Sequence, residues 1–411
     1  MRALQILHRD QGSLARAGVL RTAHGAVRTP AFVPLATKGT VKGLEAREVA
    51  ALGYDMVLGN TFHLFLDPGA ELVAHFGGLH DFMGWRRPII TDSGGFQVFS
   101  MGHGTVADEI KSRPARAPTG TDRMGRVLAI SEDGVRFRSY IDGSERFIGP
   151  ETSMEVQAAL GSDIALVFDE CTPFNIGRDY TARSTERTHR WLDRCLAWHA
   201  EHGPAGQLVY GIVQGGVHEE LRIASAQEVA ARPVDGIAIG GSLGADKPQM
   251  YDVVAWAISG IDDARPRHLL GIGDVDDLIR GVELGVDTFD CAMPTRLGRH
   301  GVAIVPEPEA RWRVDLTAAR WRESDEPIMD GCPCAACSGG HSRGYLRYLL
   351  RNRELTGVRL LTLHNLAYLA RLMADLRGAI AAGTLAERAA ALRAGAAPTV
   401  EEVERTEAPA P

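Results

Sequence analysis

Eight short apolar runs recur between residues 31 and 291, each closing on small, polar or acidic residues. They are AFVPLAT (31–37), DMVLGNT (55–61), PIITDSGG (88–95), IALVFDE (164–170), LVYGIVQGG (208–216), GIAIGGS (236–242), HLLGIGD (268–274) and VDTFDC (286–291). Most are separated by segments of helical period, such as LEAREVAALG, SMEVQAALG and VDDLIRGVELG. Strands buried on both faces read as continuous apolar runs, and parallel neighbours need a helical crossover. The pattern predicts an α/β chain, and eight units are enough to close a (β/α)8, TIM-type barrel. Such a barrel gathers its chemistry at the C-terminal ends of the strands. The polar residues here collect at those ends: Asn60, Asp92, Asp169, Gln214, Gly241 and Asp290. A doubly wound open sheet is the rival, but AFVPLATKGTVKGL lacks the glycine-rich phosphate turn expected after its first strand.

Composition bounds the rest. A net charge of −7 argues against blanket electrostatic binding to nucleic acid, though not against a local basic face. The N-terminal residues lack a signal-like apolar core, and no run is long enough to span a membrane. Three of the six cysteines lie within six residues, Cys332, Cys334 and Cys337. A disulfide framework rarely crowds thiols so closely, so we expect a reducing, cytoplasmic setting and a metal site. His364 follows at a distance and would complete a closed set of three thiolates and one imidazole, the donor set of a structural zinc. His341 lies too near the knuckle to cross-link anything.

Three stretches carry candidate chemistry. DTFDCAMPTRLGRHG places Asp290 and Cys291 at a strand end, with Arg296 and Arg299 behind them. That combination suits an anionic, phosphate-bearing substrate, whereas a solvated charge cluster is the bland alternative. TDSGGFQVFS offers Asp92, a turn at Ser93, Gly94 and Gly95 that lets a ligand approach the backbone, and Phe96 to stack on a planar ring. Asp92 would equally serve as a helix N-cap. Asp169, Gln214 and the Gly241 backbone could hold a purine edge, while Cys171 reads as wall. Between Ser338 and Leu360 five arginines stand against the single acid Glu354, a candidate phosphate-tracking face or an ordinary solvated one.

Taken together, TDSGGFQVFS, FDECTP, IVQGG, AIGG, GIGDVDDL, FDCAMPTRLGR and the C-x-C-x-x-C with its distant His resemble the bacterial-type tRNA-guanine transglycosylases over residues 1 to 380. The resemblance implies a (β/α)8 barrel with a zinc subdomain near the C-terminus and a homodimer. It implies exchange of the wobble guanine of a tRNA anticodon loop for a free 7-deazaguanine base. By position it makes Asp290 the nucleophile and Asp92 the general acid/base. Asp169, Gln214 and Gly241 hold the base, with Ser93, Gly94 and Gly95 beside it and Phe96 and Leu270 on its two faces. The RNA would be met by Gly271, Ile272, Gly273, Asp274, Val275, Asp276 and Asp277, and by Thr295, Arg296, Leu297, Gly298 and Arg299. One structural Zn2+ per chain would sit on Cys332, Cys334, Cys337 and His364, and no redox cofactor is needed.

Departures bear on the base. SLGAD follows Gly241 where the family commonly reads LAVGE, and Gly244 in place of valine is expected to widen the pocket near the 7-substituent. Asp246 is one methylene shorter than the usual Glu. The lead base is 7-aminomethyl-7-deazaguanine; salvage of queuine and a DNA-directed relative are the alternatives. The expected organisation is a barrel over 1–301 with an N-terminal hairpin-like lid and a long mobile loop at 101–128. A zinc subdomain over 302–365, a closing helix at 366–384 and a fraying tail over 385–411 complete it.

Overall fold

The computed structural model describes residues 3–103, 127–173, 175–241 and 243–399 of the 411. At its centre is an eight-stranded parallel sheet of Ala31–Pro34, Val57–Gly59, Ile89–Thr91, Ile164–Leu166, Leu208–Val213, Gly236–Ile239, Arg267–Leu269 and Thr288–Cys291. Neighbours in the sheet are neighbours in sequence, and the last strand pairs with the first, Asp290 opposite Val33. The remaining seam is bridged at Leu35 and Leu58, so the sheet closes into the expected barrel. Its strands are short and almost wholly buried because side chains from alternate strands fill the interior and helices cover the outside.

The N-terminal residues form three antiparallel strands, Leu4–Arg9, Arg16–Thr22 and Gly25–Thr29. They close the floor of the barrel, not its active mouth. Arg16 reaches Asp287, just before the last strand, through bonds of 2.9 and 2.6 Å, both side chains buried. His24 meets Asp163, just before the fourth strand, at 2.9 Å. The alternating stretch after 127 is a second antiparallel sheet, Val127–Ile130, Val135–Arg138 and Glu145–Ile148. The helix Gly95–His103 runs into the segment expected to be a long loop, most of which lies outside the described residues.

The C-terminal part differs from its expected division. One helix, Leu355–Ala382, runs unbroken across the boundary placed at 365. Its leucines at 360, 361, 363, 366, 369, 372 and 376 are buried at helical spacing, which leaves no reason for a break there. Tyr54 donates to the Leu366 carbonyl at 2.7 Å, tying this helix to the barrel. The tail beyond 385 also has something to pack. Leu385–Arg393 is a helix that buries Leu385, Ala389 and Leu392, and Arg388 and Arg393 anchor it to Asp375 at 2.6 Å and Glu283 at 2.8 Å. Alanine-rich composition hid a three-residue apolar stripe. No helix among the described residues is long and apolar enough to cross a membrane.

Candidate active site at the C-terminal mouth

A cavity of about 200 Å³ opens where the strands end, lined by residues from all but the fifth strand end and by Ile212 within the fifth strand. Asp92, immediately after Ile89–Thr91, and Asp290, inside Thr288–Cys291, both face it. Ser93, Gly94, Phe96, Asp169, Gly241, Leu270, Gly271 and Arg296 join them, as expected. Gln214 and Gly95 stand one layer behind. Gln214 donates to Asp169 Oδ2 at 2.6 Å and Ser93 to Asp169 Oδ1 at 2.8 Å, so the two carboxylate oxygens are held by different neighbours. Gly95 has no room for a side chain, since a Cβ there would lie 2.5 Å from the Asp169 carbonyl oxygen.

Asp92 is held from the preceding unit rather than capping its own helix alone. Thr61 N–H donates to Oδ1 at 2.8 Å, and the Asn60 amide donates to Oδ2. Burial pushes the Asp92 carboxyl up to about 7; the nearby Asp290 and Asp169 charges act the same way, against the hydrogen bonds from Thr61 and Gly94. Burial likewise lifts Asp169 to about 6, opposed by the bonds from Ser93 and Gln214. A carboxyl near neutrality can both give and take a proton at physiological pH. Asp290 is 6 % exposed and accepts from Gly271 N–H at 3.1 Å. Cys171 lines the wall, where burial pushes its thiol well above the ordinary range, so it is no ready nucleophile.

The folded state prefers protonated Asp92, so that group's contribution is present at acid pH and is lost as pH rises through about 7. Asp92→Asn is therefore expected to be about as stable as the parent near pH 3, below the unfolded value, and more stable by a few kcal/mol at pH 8. Urea unfolding of both proteins at the two pH values checks this; a constant difference would contradict the assigned environment.

The segments expected to meet RNA divide. Gly271 and Arg296 reach the cavity. Ile272 and Val275 are buried, and the three carboxylates that follow are already paired. Asp274 meets Arg313, Asp276 meets Arg393 at 3.1 Å, and Asp277 meets Lys247 at 2.7 Å and Tyr251 at 2.8 Å. Arg299 donates to Thr295 at 3.1 Å, Leu297 is partly buried, and a Cβ on Gly298 would meet Thr362 at 2.7 Å. Of the five arginines between Ser338 and Leu360, three are committed to the fold. Arg343 binds the Pro327 and Ile328 carbonyls at 2.9 Å, Arg347 binds that of Ala318 at 3.0 Å, and Arg359 pairs with Glu48.

Gly244 does not line the cavity among the described residues. Its φ of +112° lies where side chains are strained whatever the space, and a Cβ there would lie 2.6 Å from Gln249 Oε1, so the loop conformation favours glycine independently of any ligand. Asp246 caps the helix Lys247–Ser259, accepting from Gln249 N–H at 3.0 Å. Thr37, Asn60 and Cys291, none of which was given a role from the sequence, also line the cavity, and so does Gln97, which sequence reasoning passed over. The signal for Asn60 was its place at the end of the second apolar run, the same signal that picked out Asp92.

The three thiols and His364 come together as expected. Cys332, Cys334 and Cys337 Sγ lie 3.8, 3.5 and 3.4 Å from His364 Nδ1. Tetrahedral zinc with ordinary bond lengths sets that sulfur–nitrogen edge at about 3.6 Å. His364 Nε2 bonds the Ile304 carbonyl at 2.8 Å, so it carries the proton and Nδ1 is free to ligate. The donor set fits zinc and leaves no position open.

Comparison with known proteins places the chain in a family. The chain is 49 % identical over 393 residues to a queuine tRNA-ribosyltransferase of Roseiflexus sp. (strain RS-1), covering 93 % of this chain and 97 % of the relative. It is 44 % identical over 384 residues to that of Symbiobacterium thermophilum, covering 93 % and 88 %. For that of Pelotomaculum thermopropionicum the identity is 43 % over 381 residues, covering 92 % and 95 %. Matched by the family model for queuine tRNA-ribosyltransferase from residue 10 to residue 396, the chain belongs to that family.

Proposed function

We propose that this protein is a tRNA-guanine transglycosylase of queuosine modification, a pentosyltransferase that exchanges the wobble guanine for a 7-deazaguanine base by double displacement. One observation carries the mechanism: Asp92 and Asp290 face one small cavity beside the Ser93–Asp169–Gln214 set. Asp290 attacks the anomeric carbon of a nucleotide turned out of the anticodon loop, and the glycosidic bond to guanine breaks as the ester to RNA forms. Asp92 gives a proton to the departing base and recovers one from the incoming base, a task that suits a carboxyl near 7. Asp169 accepts from the base's amide and amine N–H groups, and Phe96 and Leu270 offer it apolar faces. Arg296, at the cavity, and Arg299, one turn on, orient the neighbouring nucleotides.

Zinc on Cys332, Cys334, Cys337 and His364 would pin the knuckle to the long helix and take no part in the exchange. Tyr348 and Leu355, 61 % and 81 % exposed, suit a contact between two copies of the chain in a cytoplasmic homodimer. The proposed base is 7-aminomethyl-7-deazaguanine. Competitive incorporation of that base and queuine into guanine-34 tRNA is expected to favour the aminomethyl base by about tenfold or more, the scale of one well-made polar contact. A preference for queuine would overturn the choice of base and leave the chemistry standing.

A further inference from the structure

The mechanism above makes no use of the imidazole that lies directly behind the attacking carboxylate. His268 sits in Arg267–Leu269, in parallel register with Thr288 of the next strand. It is fully buried and does not line the cavity that Asp290 faces. Its Nδ1 is 2.9 Å from Thr288 Oγ1. Its Nε2 is 3.3 Å from Asp290 Oδ1, off the line of a good hydrogen bond, and has no hydrogen-bond partner among the described residues. Gly271 N–H donates to the same oxygen at 3.1 Å.

An ionised carboxylate only accepts, so the nitrogen facing it must carry the hydrogen. Nδ1 is then an acceptor, and the Thr288 hydroxyl supplies its proton. A buried donor left without a partner is rare outside sites where the partner moves into place during reaction.

We infer that His268 is a positioning residue: its Nε2–H, on a ring held in place by the Thr288 hydroxyl, joins Gly271 N–H in holding Oδ1 of Asp290 so that Oδ2 is the atom that attacks. The inference rests on the transglycosylase reading. In the first half, the bond from Oδ2 to C1′ forms as the glycosidic bond breaks, and Oδ1 becomes the ester carbonyl oxygen. In the second half, the pair in the Oδ2–C1′ bond returns to the carboxylate, and the same two donors meet the charge that grows on Oδ1. His268 exchanges no proton with substrate in either half.

The test uses the full zinc-loaded chain and unmodified guanine-34 tRNA. His268→Phe keeps an aromatic ring and removes the donor; His268→Gln restores an N–H of similar reach; Thr288→Val leaves the imidazole but removes the partner of its Nδ1. Single-turnover adduct formation on denaturing gels is expected to slow about 10- to 100-fold in His268→Phe, the size of one hydrogen bond to a charged acceptor. The guanine KM and the tRNA Kd should stay within about twofold, and His268→Gln should recover most of the rate. Thr288→Val should show a smaller loss of the same kind, and it remains informative if His268→Phe does not fold. Equal losses in His268→Phe and His268→Gln, or full speed in both His268→Phe and Thr288→Val, would overturn the assignment. A parent protein that forms no adduct at all would instead sink the underlying chemistry.

Discussion

Asp290→Ala is expected to lose guanine exchange by at least about four orders of magnitude and to form no covalent adduct with tRNA. In the proposed double displacement Asp290 is the group that holds the ribose between the two bases. The fold should survive. Asp290 is tied to the rest of the molecule chiefly through Gly271 N–H and the His268 contact. Its replacement also relieves the crowding of charge on Asp92, so stability should change little. Trapping on denaturing gels, with tRNA binding measured in parallel, separates lost chemistry from lost binding. An adduct that persists in Asp290→Ala would refute the role of this carboxylate.

Cys334→Ala is expected to give the largest loss of stability. Structural zinc binding is folding energy, and one lost ligand opens a closed tetrahedral site. The knuckle lies on a helix whose His364 is fully buried and bonded to Ile304 in the strand Val302–Ile304. Loosening it should therefore loosen the packing of Leu355–Ala382 on the barrel as well. We expect a loss of about 5 kcal/mol, with zinc content falling from one ion per chain to near none. Metal analysis and denaturant unfolding check both numbers, and chelation of the parent should mimic the variant. Full zinc content at parental stability would exclude the cluster as a structural site.

Much of this was readable from local pattern. An apolar run bounded by polar residues states where a buried strand ends, and in a parallel barrel that position is also where chemistry collects. Asp92, Asp169 and Asp290 could be named on that ground. Cys332, Cys334 and Cys337 declare a shared ligand through spacing alone, because one turn presents all three sulfurs to one point. Glycine was harder to read. Gly244 looked like room made for a ligand, whereas its positive φ gives the loop its own reason to favour glycine. Charge misled in the same way: Asp274, Asp276 and Asp277 look free in a string of letters and are paired in the molecule.

The amino-acid order by itself determined the alternation of strand and helix, the residues at the strand ends and the crowding of Cys332, Cys334 and Cys337, because each is a matter of periodicity or short spacing. Only the closed barrel decided that Asn60 would meet Asp92, that Gln214 and Ser93 would share Asp169, and that His268 would stand behind Asp290. It also decided that the N-terminal strands cover the floor and that the last helix packs. Those pairings join groups separated by tens to hundreds of residues, and the geometry that unites them arises only when the eighth strand meets the first.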